Sequence, residues 1–186
     1  MPNFTVADRT TGANFNTDGT PNAVAVSNHD GQPLTNQYVS LTSDNLNVAS
    51  LVPNTHIQTG SGSDLVFLYG GGDNVVDAGS GSNTIFGGSG KDGFLILGNN
   101  AGSSVFDVIN NFHPGDVMTI YGVTPGSFSS TYDPRVGLDL FNKNSAGVDL
   151  IVRVAGYGSN PATASPIHTA FGTTPAGEPY MNVWEG

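Results

Sequence analysis

The sequence predicts an all-β fold: a central β-solenoid of short repeats, with antiparallel strands on either side. Three observations carry that prediction. Apolar and polar residues alternate over many short runs, the period of a strand with one buried face. Helical spacing is scarce. A nine-residue pattern then recurs in tandem through the middle of the chain.

The 186 residues suit one domain, large enough to bury a core without needing metals or disulfides. Within it, N-terminal β segments occupy 1–42, repeats 43–100 and an antiparallel β-cap 101–186. The first segment holds short alternating pieces, "NFTVAD" and "NAVAVS", separated by turn clusters, and nothing in them names their partners.

The repeats read "TGSGSDLVF", an extra Leu68, "YGGGDNVVD", "AGSGSNTIF" and "GGSGKDGFL". Each has glycine at its second and fourth places, Asp or Asn at the sixth and an apolar residue at the eighth. The sixth places are Asp64, Asn74, Asn83 and Asp92; the eighth are Val66, Val76, Ile85 and Phe94. In such an array each repeat buries its apolar residue against its neighbours. Fainter copies, "SDNLNVAS" and "PNTHIQTG", precede the block.

Beyond the repeats, "VGLDLFNKNSAGVDLIVRV" predicts a hairpin over 136–154. Leu138 and Leu140, then Val148, Leu150, Val152 and Val154, are expected on one face of it. "SSVFDVINNF" and "DVMTIYGV", joined by "HPGD", predict a second hairpin, because Pro114 and Gly115 favour a turn.

Composition excludes several functions. The net charge is −10, and the basic residues are Lys91, Lys143, Arg9, Arg135 and Arg153, so nucleic acid is not an expected partner. Only 11% of residues are charged, against about 25% in ordinary domains, and 26 are glycine. The absence of cysteine rules out disulfides and thiol chemistry. No apolar run approaches the roughly 18 residues of a membrane helix, so no membrane span is expected. The start, "MPNFTVADRTTG", shows no basic and apolar segments of a secretory leader.

"GGSGKDGFL" superficially suggests a phosphate loop. That motif needs glycine, four residues, then glycine-lysine and a hydroxyl; here Ile85 stands at the first glycine and Asp92 at the hydroxyl. A carboxylate there would repel phosphate. The glycines suit a tight bend that turns carbonyl oxygens inward, and Asp92 adds charge to that ring. Oxygen donors without sulfur describe a calcium site.

The four segments resemble the glycine- and aspartate-rich nonapeptides of the repeat-in-toxin (hemolysin-type) family. The resemblance covers residues 59–95, and "FDVINNFHPGDVMTI" resembles the segment that follows the repeats in secreted metalloproteases of that family. It implies a parallel β-roll that holds Ca2+ between loops two repeats apart. One site would pair Asp64 with Asn83, completed by carbonyls near Gly60, Gly62, Gly79 and Gly81. Another would pair Asn74 with Asp92, completed near Gly70, Gly72, Gly88 and Gly90. The extra Leu68 leaves the register open between Asn74 and Asp73. The family implies export from Gram-negative bacteria through a one-step channel. "GEPYMNVWEG" matches such a C-terminal export signal loosely. Asparagine replaces the family's aspartate at two sixth places, which implies weaker sites.

No enzyme is expected. The glutamates are Glu178 and Glu185, no His-Glu-x-x-His run exists, and His29, His56, His113 and His168 are too scattered for zinc and are expected at the surface or in turns. Ser61, Ser80 and Ser89 sit between repeat glycines, not in a nucleophile elbow, and Asp139 and Asp149 are expected to face solvent rather than form a carboxylate pair with Asp133. The sequence therefore reads as a secreted, extracellular or cell-surface calcium-binding protein with a structural, adhesive or matrix role, including self-association. A calcium-dependent polysaccharide-binding module is the alternative, with Tyr132, Tyr157, Tyr180 and Trp184 as stacking candidates, though core packing is the expected place for those rings. An accessory domain of a secreted enzyme is the third reading.

Overall fold

A computed structural model describes residues 1–21, 23–98, 106–144, 147–157 and 165–186. It is all-β, with two mixed sheets and no helix among the described residues. The chain opens with β1 (Phe4–Asp8), β2 (Asn14–Thr17) and β3 (Asn36–Val39). The repeat region supplies β4 (Leu46–Ser50), β5 (Thr55–Gln58), β6 (Leu65–Leu68), β7 (Val75–Asp77), β8 (Thr84–Phe86) and β9 (Gly93–Leu97). There follow β10 (Asp107–Asn110), β11 (Val117–Tyr121), β12 (Phe128–Asp133) and β13 (Gly137–Asn144). The last are β14 (Gly147–Ala155), β15 (Ile167–Thr173) and β16 (Pro179–Glu185).

From β3 to β11 successive strands alternate between the sheets. Each pairs in parallel with the strand two places on: β4 with β6, β6 with β8 and β8 with β10 in one sheet, and β3 with β5 through β9 with β11 in the other. One end of the nine-stranded sheet is closed by antiparallel β1 and β2, the other by β14, β13 and β12. The seven-stranded sheet ends in antiparallel β16 and β15.

The eighth-place residues explain why the sheets face each other. Val66 and Ile85 from one sheet, and Val76 and Phe94 from the other, are all completely buried. Val48, Ile57, Ile109 and Met118 extend the same rows. Burying each such side chain stabilises by about 1.5–3 kcal/mol. Glycine is needed where loops two repeats apart touch. A Cβ on Gly79 would overlap the carbonyl oxygen of Gly60, and one on Gly81 that of Gly62; both glycines also have positive φ, 68° and 123°.

Four expectations need correction. The segments around Asp107 and Val117 form no hairpin: β10 lies between β8 and β14, while β11 lies in the other sheet between β9 and β16. "HPGD" is therefore a link between sheets. "NAVAVS" gives no strand among the described residues, only a bridge from Ser27 to Pro33. His56 is buried within β5, at 2% exposure, although it alternates with the core residue Ile57; its Nδ1 lies 3.4 Å from Gln37 Oε1, and burial lowers its pKa. The hairpin over 136–154 forms as β13 and β14, but a bulge at Leu140/Phe141 shifts the alternation. Ile151 is consequently buried and Leu150 only partly so, whereas Leu138, Leu140, Val152 and Val154 are buried as expected. The side chain of Val148 and the tip of that turn lie outside the described residues.

No helix among the described residues is long and apolar enough to cross a membrane.

Candidate functional site

The sixth-place side chains turn inward and stack in two rows, one along each sheet. In the first row Asp64 Oδ1 accepts the backbone N–H of Leu46 at 2.8 Å, and Asn83 Oδ1 that of Asp64 at 2.9 Å. Asp107 Oδ1 continues it from the N–H of Asn83 at 3.0 Å. In the second row Asn74 Oδ1 accepts from Thr55 at 3.0 Å, and Asp92 Oδ1 from Asn74 at 3.1 Å. Asp116 Oδ1 then accepts from Asp92 at 2.8 Å. Asp64, Asn74, Asn83, Asp92, Asp107 and Asp116 are all at most 5% exposed.

Asn74, not Asp73, holds the inward place. Asp73 belongs to a partly exposed row beside it: its N–H donates to Asn54 Oδ1 at 3.0 Å, and its own Oδ1 accepts the N–H of Lys91 at 2.9 Å. Lys91 itself reaches Asp30 at 3.2 Å. That pairing, on an exposed side chain, is what the lysine of "GGSGKDGFL" does.

The two rows treat their oxygens differently. Asp92 accepts from Asn74 Nδ2 at 2.8 Å and from the N–H of Gly88 at 2.6 Å, besides the row bond, so both its oxygens are engaged. Around it the carbonyls of Gly72 and Gly88 accept from Asn74 Nδ2 and Asn111 Nδ2 at 2.9 and 2.6 Å. Gly70 donates its N–H to Ser50, and Gly90 packs on the Gly72 carbonyl. In the first row, by contrast, Asp64 Oδ2 and Asn83 Nδ2 are buried and make no hydrogen bond of good geometry among the described residues. Against the burial that raises both carboxyls, the Thr59 hydroxyl still lowers the pKa of Asp64, and the Asn83 side chain that of Asp107. There the carbonyl of Gly60 accepts from Ser80 and that of Gly62 faces Gly81. A buried carboxylate oxygen with no well-formed hydrogen bond is a suitable ligand for a hard cation, whereas both oxygens of Asp92 are already engaged by protein donors. Among the described residues no three His, Cys, Asp or Glu side chains converge as a metal cluster.

Burial controls the charge of these groups. It raises Asp64 and Asp92 above the ordinary carboxyl range, pushes Asp107 up to about 7 and Asp116 up to about 6. Asp64 and Asp77 add repulsion at Asp107. Burial is the largest influence on His113 and works against its charge, but Asp116, with its Oδ1 3.6 Å from Nδ1, together with the Pro114 and Gly88 carbonyls and Asp92, outweighs it and raises the imidazole.

Asp107 and Asp116 escaped the sequence reading as row members. They stand 24 residues after Asn83 and Asp92, because six extra residues separate Asp92 from Asp107. The signal was present in "DVI" and "DVM", nine residues apart, the spacing of the repeats though shifted from their phase.

Elsewhere, the aromatic candidates do not converge, nor do they fill the core. Tyr132 meets Tyr157 edge-on at 6.2 Å at the end of one sheet; Tyr180 sits against Tyr121, and Trp184 stacks on His168, in the other. They stay out because Met181 and Val183 are the buried members of β16, which turns Tyr180 and Trp184 to its outer face. Tyr157 alone packs against the core, partly buried, its hydroxyl donating to the Ser165 carbonyl at 2.5 Å. Asp139 receives a two-pronged bond from Arg153 at 2.6 and 2.7 Å, Asp133 caps the N–H of Arg135 at 2.8 Å, and both acids raise the pKa of Arg153.

Fold and site together define an all-β protein with two stacked rows of buried Asp and Asn. Compared with known proteins, the chain matches no family model, no curated protein and no solved structure.

Proposed function

We propose that this chain is a secreted, non-enzymatic calcium-binding protein whose stability is coupled to the cation, built on a parallel β-roll. The observation that carries the reading is the Oδ2 of Asp64, buried without a well-formed hydrogen bond in a row that also holds Asp107. Two buried carboxylates in one row are costly unless a proton or a cation compensates them. The described ion pairs of Lys91 and Arg153 lie elsewhere, with Asp30 and Asp139. Asp64, the amide oxygen of Asn83 and carbonyls near Gly60, Gly62, Gly79 and Gly81 would hold the ion. Calcium would add to the positive charge of Arg9, whose guanidinium donates to the Ser63 carbonyl beside Asp64 and favours that carboxylate. The protein's own contribution is to pre-stack the loops, which glycine alone permits. A structural, adhesive or matrix role outside a Gram-negative cell, after one-step export, rests on the resemblance of the repeats.

Extracellular modules bind calcium at about 10⁻⁴–10⁻³ M, and a tenfold excess over Kd stabilises by about 1.4 kcal/mol per site. The test is thermal unfolding of the full chain in chelator, in millimolar calcium and in millimolar magnesium. Calcium should raise Tm, and Asp64→Asn should abolish the rise. Equal melting in chelator and calcium overturns the reading.

A further inference from the structure

We propose that the outer face of the nine-stranded sheet carries a binding groove for a neutral oligosaccharide, floored by Asn47 and walled by Phe67 and Tyr69. This inference does not depend on calcium.

The groove follows from register and alternation. Phe4, Val6, Val48 and Val66 point inward and are buried, so their neighbours in β1, β4 and β6 point out. Across the sheet Thr5 pairs with Ala49, Ala49 with Phe67, and Phe67 with Phe86. In the adjacent row Asn14 pairs with Ala7, and Ala7 with Asn47. Small side chains in the middle, with larger ones on both sides, leave a depression of about 420 Å³.

One wall is an aromatic stack. Phe67 lies against Tyr69 with ring centroids 5.2 Å apart and planes at 15°, and against Phe86 at 4.9 Å and 12°. Tyr69 is nevertheless 67% exposed and Phe86 37%. Of the three stacked rings, Phe67 and Tyr69 line the depression and give it an aromatic wall. The opposite wall is the pair Asn14 and Asn16 on β2. The floor contains an unmade bond: Asn47 Oδ1 is buried and has no hydrogen-bond partner. A buried amide acceptor left unpaired costs about 1–3 kcal/mol, and rotation of the Asn47 amide toward the groove would let a ligand hydroxyl satisfy it.

The chemistry selects the ligand. Among the described residues no charged side chain lines the depression, and the chain carries a net charge of −10, so an anion is disfavoured. An aromatic wall of Phe67 and Tyr69 beside amide donors and acceptors matches a pyranose, which presents C–H faces to a ring and hydroxyls around its edge.

The experiment is calorimetric titration of the full chain with maltohexaose, cellohexaose, xylohexaose and mannohexaose at millimolar concentration, in calcium and in chelator. At least one should bind. Tyr69→Ala should weaken that binding at least about tenfold, as should Asn47→Ala, while Tyr69→Phe, which keeps the ring, should retain it. Circular dichroism checks that each variant is folded. Silence toward all four sugars overturns the proposal, as does binding that Tyr69→Ala and Asn47→Ala leave unchanged. Loss of binding on neutral sugars alongside capture of extended peptides at edge strand β2 would reassign the face to strand addition and overturn it equally.

Discussion

The amide oxygen of Asn83 accepts the backbone N–H of Asp64 at 2.9 Å, across 19 residues of chain. The same relationship joins Asp92 to Asn74 and Asp107 to Asn83. A sixth-place Asp or Asn thus splices its own loop to the one two repeats before. Either residue type can make this bond, since both offer an oxygen. They differ in charge, and several expected outcomes follow from that difference.

Asn83→Asp should keep the bond to Asp64 and add a carboxylate between Asp64 and Asp107. In chelator the added repulsion should lower Tm. In calcium the extra ligand charge should tighten binding, because charge count is one determinant of affinity. Calorimetric titration combined with melting in both buffers reads the two signs together; a variant indistinguishable from wild type in both would show that the first row holds no cation.

Asp92→Ala removes the acceptor for the N–H groups of Asn74 and Gly88 and for Asn74 Nδ2. Leaving buried donors unpaired costs roughly 1–3 kcal/mol each, so the variant should be severely destabilised. Asp92→Asn, which keeps an acceptor oxygen, should be milder. Calcium should still raise the Tm of Asp92→Asn, since the second row is saturated; urea titrations in calcium and chelator measure both effects.

Gly79→Ala should destabilise strongly, by more than the roughly 1 kcal/mol expected of a positive-φ position alone, because the added Cβ would strike the Gly60 carbonyl. Gly126→Ala meets nothing within 4 Å and should be close to neutral. Comparison of their denaturation midpoints is the measurement. Equal midpoints would mean that the loops can separate without cost.

Stability in chelator should fall as pH rises from about 4 to about 7. A carboxyl whose pKa is higher in the folded state favours folding when protonated, so its contribution is full below its unfolded value and lost through its folded one. For Asp107 those values are 3.8 and about 7, and for Asp116 3.8 and about 6. Asp64 and Asp92 are raised in the same sense, and the raised His113 also loses its contribution as pH climbs. Asp8, held low by Thr11, acts oppositely in more acidic solution. Melting curves across this range should show the fall, and Asp107→Asn should flatten it.

Much of the centre was legible in the sequence because its signals are local. Alternation at Val66, Val76, Ile85 and Phe94 determines which face is buried, and all four residues are in the core. The sixth-place residues, read from phase with the glycines, are the ones that stack inward. Periodicity breaks down where the chain departs from it. The six residues inserted before Asp107 hid the continuation of both rows, and the turn chemistry of Pro114 and Gly115 suggested a hairpin where the chain crosses between sheets.

What only the tertiary structure decided is where each oxygen goes and what the outer faces present. Whether Asp64 Oδ2 stays without a well-formed hydrogen bond while Asp92 is saturated depends on donors such as Asn74 Nδ2 and the Gly88 N–H, placed by loop stacking rather than by spacing along the chain. The groove of Asn47 and Tyr69 likewise arises from the register of β1, β2, β4 and β6, strands spread from Phe4 to Leu68. Burial follows from the local alternation of a segment; partnership is set by which segments the sheet brings side by side.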